Sequence, residues 1–304
     1  MDQVSTQADA LIGGHQDRCL MMDESCFEQK GVKSAGVARQ WCGRLGKIDN
    51  CQVGVFATLG QGKHAIPLGA RLYLAEEWTT NQTRCDTAQI PTESQAFKTK
   101  GDLAFDMVKR AQDQGVRLNG IAADGVYGSD TTLLRRLKKV GETFVMDVRS
   151  NPCVFLTDPE PSIPPSPENG RPTTIMRSSA KSVRVDRHVT TIADSKWRTV
   201  TVREGTQGIM RAEAVKIPVW IWPQKGVGRQ ACSQWTLIVT RDPQTKSDIT
   251  YSLTNAPEKT SLRRLAFMQR QRFWVEHGFK EAQSTCGLAD YQVRTWVGWN
   301  HHVA

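Results

Sequence analysis

The 304-residue sequence lacks any apolar run approaching the roughly 18 residues that a membrane-spanning helix needs. No basic segment followed by an apolar stretch opens the chain between Met1 and Gly14, so no secretory signal is expected there. Eight cysteines are scattered without a single C-x-x-C pair, which argues against a zinc site or a redox motif. Reduced thiols and a cytoplasmic location are the plain expectation. The six histidines show no metal-ligand spacing, and His301-His302 gives no exception. G-x-x-x-x-G-K-[ST] is also missing, so nothing supports ATP binding. Internal repeats and low-complexity tracts are absent as well.

What is present is an ordinary globular composition, 39% hydrophobic and 23% charged, on a chain long enough to bury a core. The balance of 40 basic against 31 acidic residues gives +9, which suits a polyanionic partner such as nucleic acid. That excess is concentrated. Between Arg171 and Arg229 twelve Lys/Arg face four Asp/Glu, a local surplus of +8.

The first half alternates strand and helix signals. Cys19 to Asp23 is a short apolar run ending in acid. Cys51 to Thr58 and Ala70 to Leu74 have strand composition. Thr99 to Gln114 places Leu103, Phe105, Met107, Val108 and Ala111 at helical spacing. Leu118 to Asp124 is a second apolar run ending in acid. Ser129 to Val140 is a helix capped by Ser129 or Asp130 and stopped by Gly141. Thr143 to Val148 is a further strand. The glycines and cations between Lys30 and Lys47 resemble a phosphate cradle, but a glycine-rich hairpin explains them better. Glu76-Glu77 marks a helix start or a surface pair.

Seven of the thirteen prolines fall between Pro152 and Pro172, which makes that stretch a loop or linker. Beyond it Thr199 to Arg203, Val215 to Trp222 and Trp235 to Thr240 have the composition of antiparallel strands. Their basic residues (Arg184, Arg187, Arg198 and Arg203), with Trp197, Trp220 and Trp222 interleaved, favour a DNA-facing surface over a merely solvated one. From Ser261 the pattern is helical again. The chain stops at Ala304, just after Trp296 and Trp299, with no cap, so a truncated fragment is the expectation. The resulting division is 1–150, 151–257 and 258–304.

Asp23 and Asp124 each end a strand-like run, and Glu276 lies in the last long helix. Three carboxylates from separate segments suit hard divalent cations, which prefer oxygen donors. Spacing alone leaves this suggestive, since an acid after a strand is usually a turn or cap residue. Four blocks add to it: MMDESCFEQKGVKSAGVARQWCGRLGKIDNCQVGVFA (Met21 to Ala57), LYLAEEW (Leu72 to Trp78), AADGVYG (Ala122 to Gly128) and RFWVEHGFKEAQSTCGLADYQVRTWVGWNHH (Arg272 to His302). In content and order they resemble the catalytic domain of one group of bacterial insertion-sequence DDE transposases.

The resemblance implies an α/β fold: an RNase H-like mixed sheet flanked by helices and interrupted by a mainly antiparallel β insertion. It implies Asp23, Asp124 and Glu276 as the catalytic acids, holding Mg²⁺ (or Mn²⁺). It also implies double-stranded DNA as partner and, by analogy, a homodimer at paired transposon ends. The family's signature of Tyr, Arg, Glu and Lys is half kept. Arg272 and Glu276 match, whereas Gln269 and Gln283 stand at the Tyr and Lys positions. Lys280, one turn before Gln283, can replace the missing charge. Arg272, Lys280 and Tyr127 join the four insertion arginines as candidate DNA contacts, with an Arg272–Glu276 ion pair and simple packing of Tyr127 as the plainer alternatives. Glu24 faces away from Asp23 on a strand. Two rival functions remain: a DNA-binding remnant without activity, and a nuclease of the same fold that cuts without joining.

Overall fold

The computed structural model describes residues 2–304 except 13, 15, 63, 167, 206–207, 223–231, 289 and 291; the side chains of 2 and 203–205 are also outside the description. The chain forms two compact units, one of residues 1–142 with 270–304 and one of residues 143–269.

The first unit begins with α1 (Asp2–Ile12), β1 (Cys19–Glu28), β2 (Ala38–Cys42), β3 (Lys47–Gln61) and β4 (His64–Leu72). Short helices α2 (Glu76–Thr79) and α3 (Gln82–Thr87) lead to α4 (Lys100–Asp113), β5 (Ile121–Ala123), α5 (Gly125–Gly128) and α6 (Thr131–Lys139). β3 pairs antiparallel with β1, β2 and β4, and β5 then pairs parallel with β1. An antiparallel meander followed by a parallel strand gives the mixed sheet that the sequence led us to expect.

Local chemistry fixes the helices around this sheet. Thr99 and Asp102 form a reciprocal capping box at the start of α4, which satisfies donors that no helical carbonyl can reach. Asp130 caps α6 through the amides of Thr132 and Leu133, and Gly141 follows with a left-handed φ of 81°. α4 buries Leu103, Ala104, Met107, Val108 and Ala111. Phe105 lies off that face, under the Arg136 guanidinium at 3.9 Å. β1 is buried along nearly its whole length, so its sequence is apolar on both faces rather than alternating. Phe27, Phe56, Trp78 and Trp299 anchor one core cluster, and the Trp78 indole donates to the Val37 carbonyl at 2.7 Å.

One expectation is corrected here. Cys26 on β1 and Cys42 on β2 are joined by a disulfide, so the thiols are not all reduced. Both belong to a small buried cluster with Cys51 and Val53, a proximity created by the β2–β3 hairpin and invisible in linear spacing.

The second unit carries β6 (Phe144–Val148), β7 (Cys153–Val154), β8 (Val183–Arg184), α7 (Val185–Val189) and β9 (Arg198–Gly205). It continues with β10 (Gly208–Ile221), β11 (Ser233–Arg241), β12 (Thr250–Thr254) and α8 (Leu262–Arg270), whose last residue passes to the first unit. Its sheet runs β6-β12-β11-β10-β9, every pair antiparallel, and β7–β8 form a separate small ribbon. Between Phe155 and Ser182 the proline-rich segment contains only isolated bridges among the described residues. Two helices complete the first unit: α9 (Arg272–Thr285) and α10 (Trp296–His302). Among the described residues no helix is long and apolar enough to cross a membrane.

Candidate active site

The first unit brings Asp124 and Glu276 near enough to Asp23 to act on its charge. β1 and β5 are in parallel register through Met22 and Ala123, so Asp124, just past the end of β5, lies beside Asp23, which sits in the middle of β1 and does not end its strand as the sequence led us to expect. Asp124 is partly exposed and caps α5, accepting from the Val126 amide at 2.9 Å. Asp23 is buried, with 8% of its surface accessible. Its cross-strand partner on β3 is Phe56, whose ring meets Phe279 of α9 edge-on at 4.9 Å.

α9 lies along β1, with Val275 buried beneath it. Gln283 donates to the Ser25 hydroxyl at 2.9 Å, and Ser25 shares the face of β1 that carries Asp23. The amide standing where the signature has Lys therefore ties α9 to β1. Gln269, at the signature's Tyr position, is buried in the second unit, where it accepts from Thr240 and donates to Ser252. It holds the antiparallel sheet to α8.

Seven residues before Gln283, Glu276 stands on the same side of α9 and is ion-paired with Arg272. Burial pushes the Asp23 carboxyl up to about 7. The nearby Arg272 opposes that shift, while Asp124 and Glu276 add repulsion. Asp23 thus experiences both other acids and the single cation between them. Glu281 lies elsewhere on the helix and pairs with His277 at 3.5 Å. Glu24 points to the opposite face of β1 and meets Lys100 of α4 at 2.7 Å, as strand alternation requires.

Among the described residues no three His, Cys, Asp or Glu side chains stand close enough to grip one ion. The donor chemistry nevertheless fits a hard cation. Two adjacent aspartates and a glutamate offer only oxygen, and Asp23 is buried with less positive charge around it than negative. In this state Arg272 supplies the counter-charge.

The other candidates divide. Lys280 is exposed one turn beyond Glu276. Tyr127 is 1% exposed, which removes it from any DNA-facing surface and leaves the packing alternative. Arg187 and Arg198 are exposed in the second unit. Arg184 is clasped by Asp186 through two hydrogen bonds, at 3.1 and 2.6 Å, so part of its charge is already matched. The Arg203 side chain lies outside the described residues. Trp197 is not available to stack on bases, because it is buried under the Arg241 guanidinium at 3.9 Å. Sequence reasoning missed Gln283 as a helix tether; its seven-residue offset from Glu276 was the signal that could have revealed it.

Comparison with known proteins fits this geometry. Residues 1–209 match the family described as DDE superfamily endonuclease, and the chain belongs to that family. The matched region contains Asp23 and Asp124 but stops before Glu276. The chain is also similar to the probable transposase for insertion sequence element IS701 of Microchaete diplosiphon, 24% identical over 277 residues. That alignment covers 90% of this chain and 59% of the relative, so the chain spans well under two thirds of that protein's length. Among solved structures, the NurA nuclease from Sulfolobus solfataricus aligns over 94% of each chain at 10% identity. Its TM-score of 0.34 is too low to carry an argument.

Proposed function

We propose that this chain is the catalytic part of an insertion-sequence DDE transposase, cutting DNA at transposon ends and joining the freed ends to target DNA. The observation that carries the reading is that Asp124 lies beside Asp23 on the neighbouring strand, with Glu276 of α9 near enough to act on the charge of Asp23. Membership of the DDE superfamily endonucleases supports it.

Asp23, Asp124 and Glu276 would hold Mg²⁺ or Mn²⁺. Bound there, divalent ions make a nucleophile available at neutral pH and neutralise charge on the attacked phosphate. The chain's own residues do the rest. Asp23 is buried away from bulk water, which strengthens every charge interaction it makes. Arg272, released from Glu276, and Lys280 are placed to hold a phosphate beside the acids. In the first step a phosphodiester P–O bond breaks as water adds, leaving a 3′-hydroxyl. In the second that hydroxyl attacks a target phosphodiester, and a target 3′-oxygen departs with the proton. Exposed Arg187 and Arg198 supply sequence-independent attraction to the backbone. A homodimer would bring two ends together.

One observation favours a second reading, a DNA-binding remnant without activity: Glu276 is engaged by Arg272, and among the described residues no three acids stand close enough to grip one ion. Incubating the chain with terminal-repeat duplex DNA in Mg²⁺, Mn²⁺ or Ca²⁺ separates the two. The transposase reading expects cleavage and strand transfer in Mg²⁺ or Mn²⁺, and binding without cleavage in Ca²⁺. Binding with no cleavage in any of the three metals favours the remnant. Cleavage without joining favours a simple nuclease.

A further inference from the structure

Tyr127 is the third residue after Asp124, in the short helix α5 that Asp124 caps. Its side chain is turned inward and is 1% exposed. Its hydroxyl is buried with no hydrogen-bond partner among the described residues. Such an atom is uncommon, because a buried hydroxyl without a partner forfeits its bonds to water and gains nothing in return. Phenylalanine would fill the same space without that cost. Burial pushes the phenol well above its ordinary range, and Glu24, Asp23 and Asp124 all add to the shift. The hydroxyl therefore stays protonated and able to donate, in a setting rich in carboxylates.

We propose that Tyr127 is a positioning residue for the acid site, its hydroxyl held in reserve to donate to Asp23 or Asp124 when those carboxylates take up a divalent cation. The inference rests on the cation-binding reading above. A carboxylate that ligates a metal has a lone pair left over, and a hydrogen bond to that lone pair fixes its orientation. Asp23 turns one oxygen to the Glu24 amide at 2.8 Å, and Asp124 turns one to the Val126 amide at 2.9 Å. The tyrosine is left over. Glu24, which pairs with Lys100 at 2.7 Å on the opposite face of β1 from Asp23, does not take the bond either.

The test is Tyr127→Phe in the 304-residue chain, with Asp124→Ala alongside, using Mn²⁺ as probe. Two quantities are read: the thermal midpoint in chelator, and Mn²⁺ affinity by calorimetric titration. A hydroxyl that serves only the loaded site gives an unusual pairing. The midpoint in chelator is unchanged or rises by about 2 °C or more, while Mn²⁺ affinity falls about tenfold or more. A purely structural tyrosine gives the reverse, a midpoint lowered by several degrees, and that result overturns the proposal. Wild-type affinity in Tyr127→Phe, with affinity lost in Asp124→Ala, overturns Tyr127's role and leaves the acid site standing. If the wild type binds no Mn²⁺, or binds it as Asp124→Ala does, the acid-site reading fails and this inference fails with it.

Discussion

One charged cluster in each unit is balanced in the opposite way to the other. In the second, Arg241 lies nearly buried over Trp197 and reaches Glu213 at 2.8 Å and Asp194 at 2.6 Å, while Lys246 takes the other oxygen of Glu213. Two cations meet two anions, and Glu213 and Asp194 are held below their ordinary ranges first by those hydrogen bonds. In the first unit Asp23 is driven upward instead, first by burial, with Arg272 opposing the shift and Asp124 and Glu276 adding to it. A matched network holds the fold together. A mismatched one of this kind costs stability and persists at sites that await a charged partner.

Four experiments sharpen or break that contrast. The largest effect is expected at Glu276. Glu276→Gln removes a charge but little volume, so metal-dependent cleavage should fall at least about 10³-fold, the several kcal/mol that charge neutralisation at phosphate provides. Its thermal midpoint should stay nearly unchanged, and Glu281→Gln should cleave within a few-fold of wild type. If Glu281→Gln is instead the dead variant, the placement of the signature on α9 is wrong.

Next is the pH dependence of the metal-free chain. Asp23 has a folded pKa of about 7 against an ordinary 3.8. Between those values the unfolded chain has lost a proton that the folded chain keeps, so stability should decline as pH rises from about 4 to about 7 and level off above. The full decline from this group is roughly 4 kcal/mol. Asp23→Asn should abolish that slope in urea titrations and be the more stable protein at pH 8. An identical slope in both would mean that Asp23 is not the strained group.

Arg241→Met should behave oppositely. It leaves Glu213 with Lys246 alone and uncovers Trp197, for a loss of about 2 kcal/mol, yet Mn²⁺ affinity should not change. A coupled loss of affinity would contradict the division of labour between the units. The smallest effect concerns DNA. Arg187→Ala and Arg198→Ala should each reduce the slope of log K against log salt by up to about 0.9. Arg184→Ala should reduce it less, because Asp186 already shares its charge.

Much of the fold was legible because the local signals agree. Thr99 with Asp102, and Asp130 with Gly141, set helix limits to within a residue or two of those expected. The strands of the insertion followed from β-branched runs, although β10 extends from Gly208, well before Val215. The two neighbouring aspartates were visible in linear sequence as acids closing apolar runs, although β1 continues past Asp23 to Glu28. What stayed hidden depends on pairing across the chain. The Cys26–Cys42 disulfide needs the β2–β3 hairpin. The burial of Trp197 needs Arg241, 44 residues later in the numbering of the cation–π pair. Whether Tyr127 faces solvent or core is decided by the inward turn of a four-residue helix, which no periodicity reports.

The most direct test of the acid site is calorimetric titration of Mn²⁺ into the wild-type chain and into Asp124→Ala. The account expects saturable binding in the wild type that is lost, or weakened at least about tenfold, once one of the adjacent aspartates is removed. Equal affinity in the two proteins would contradict it.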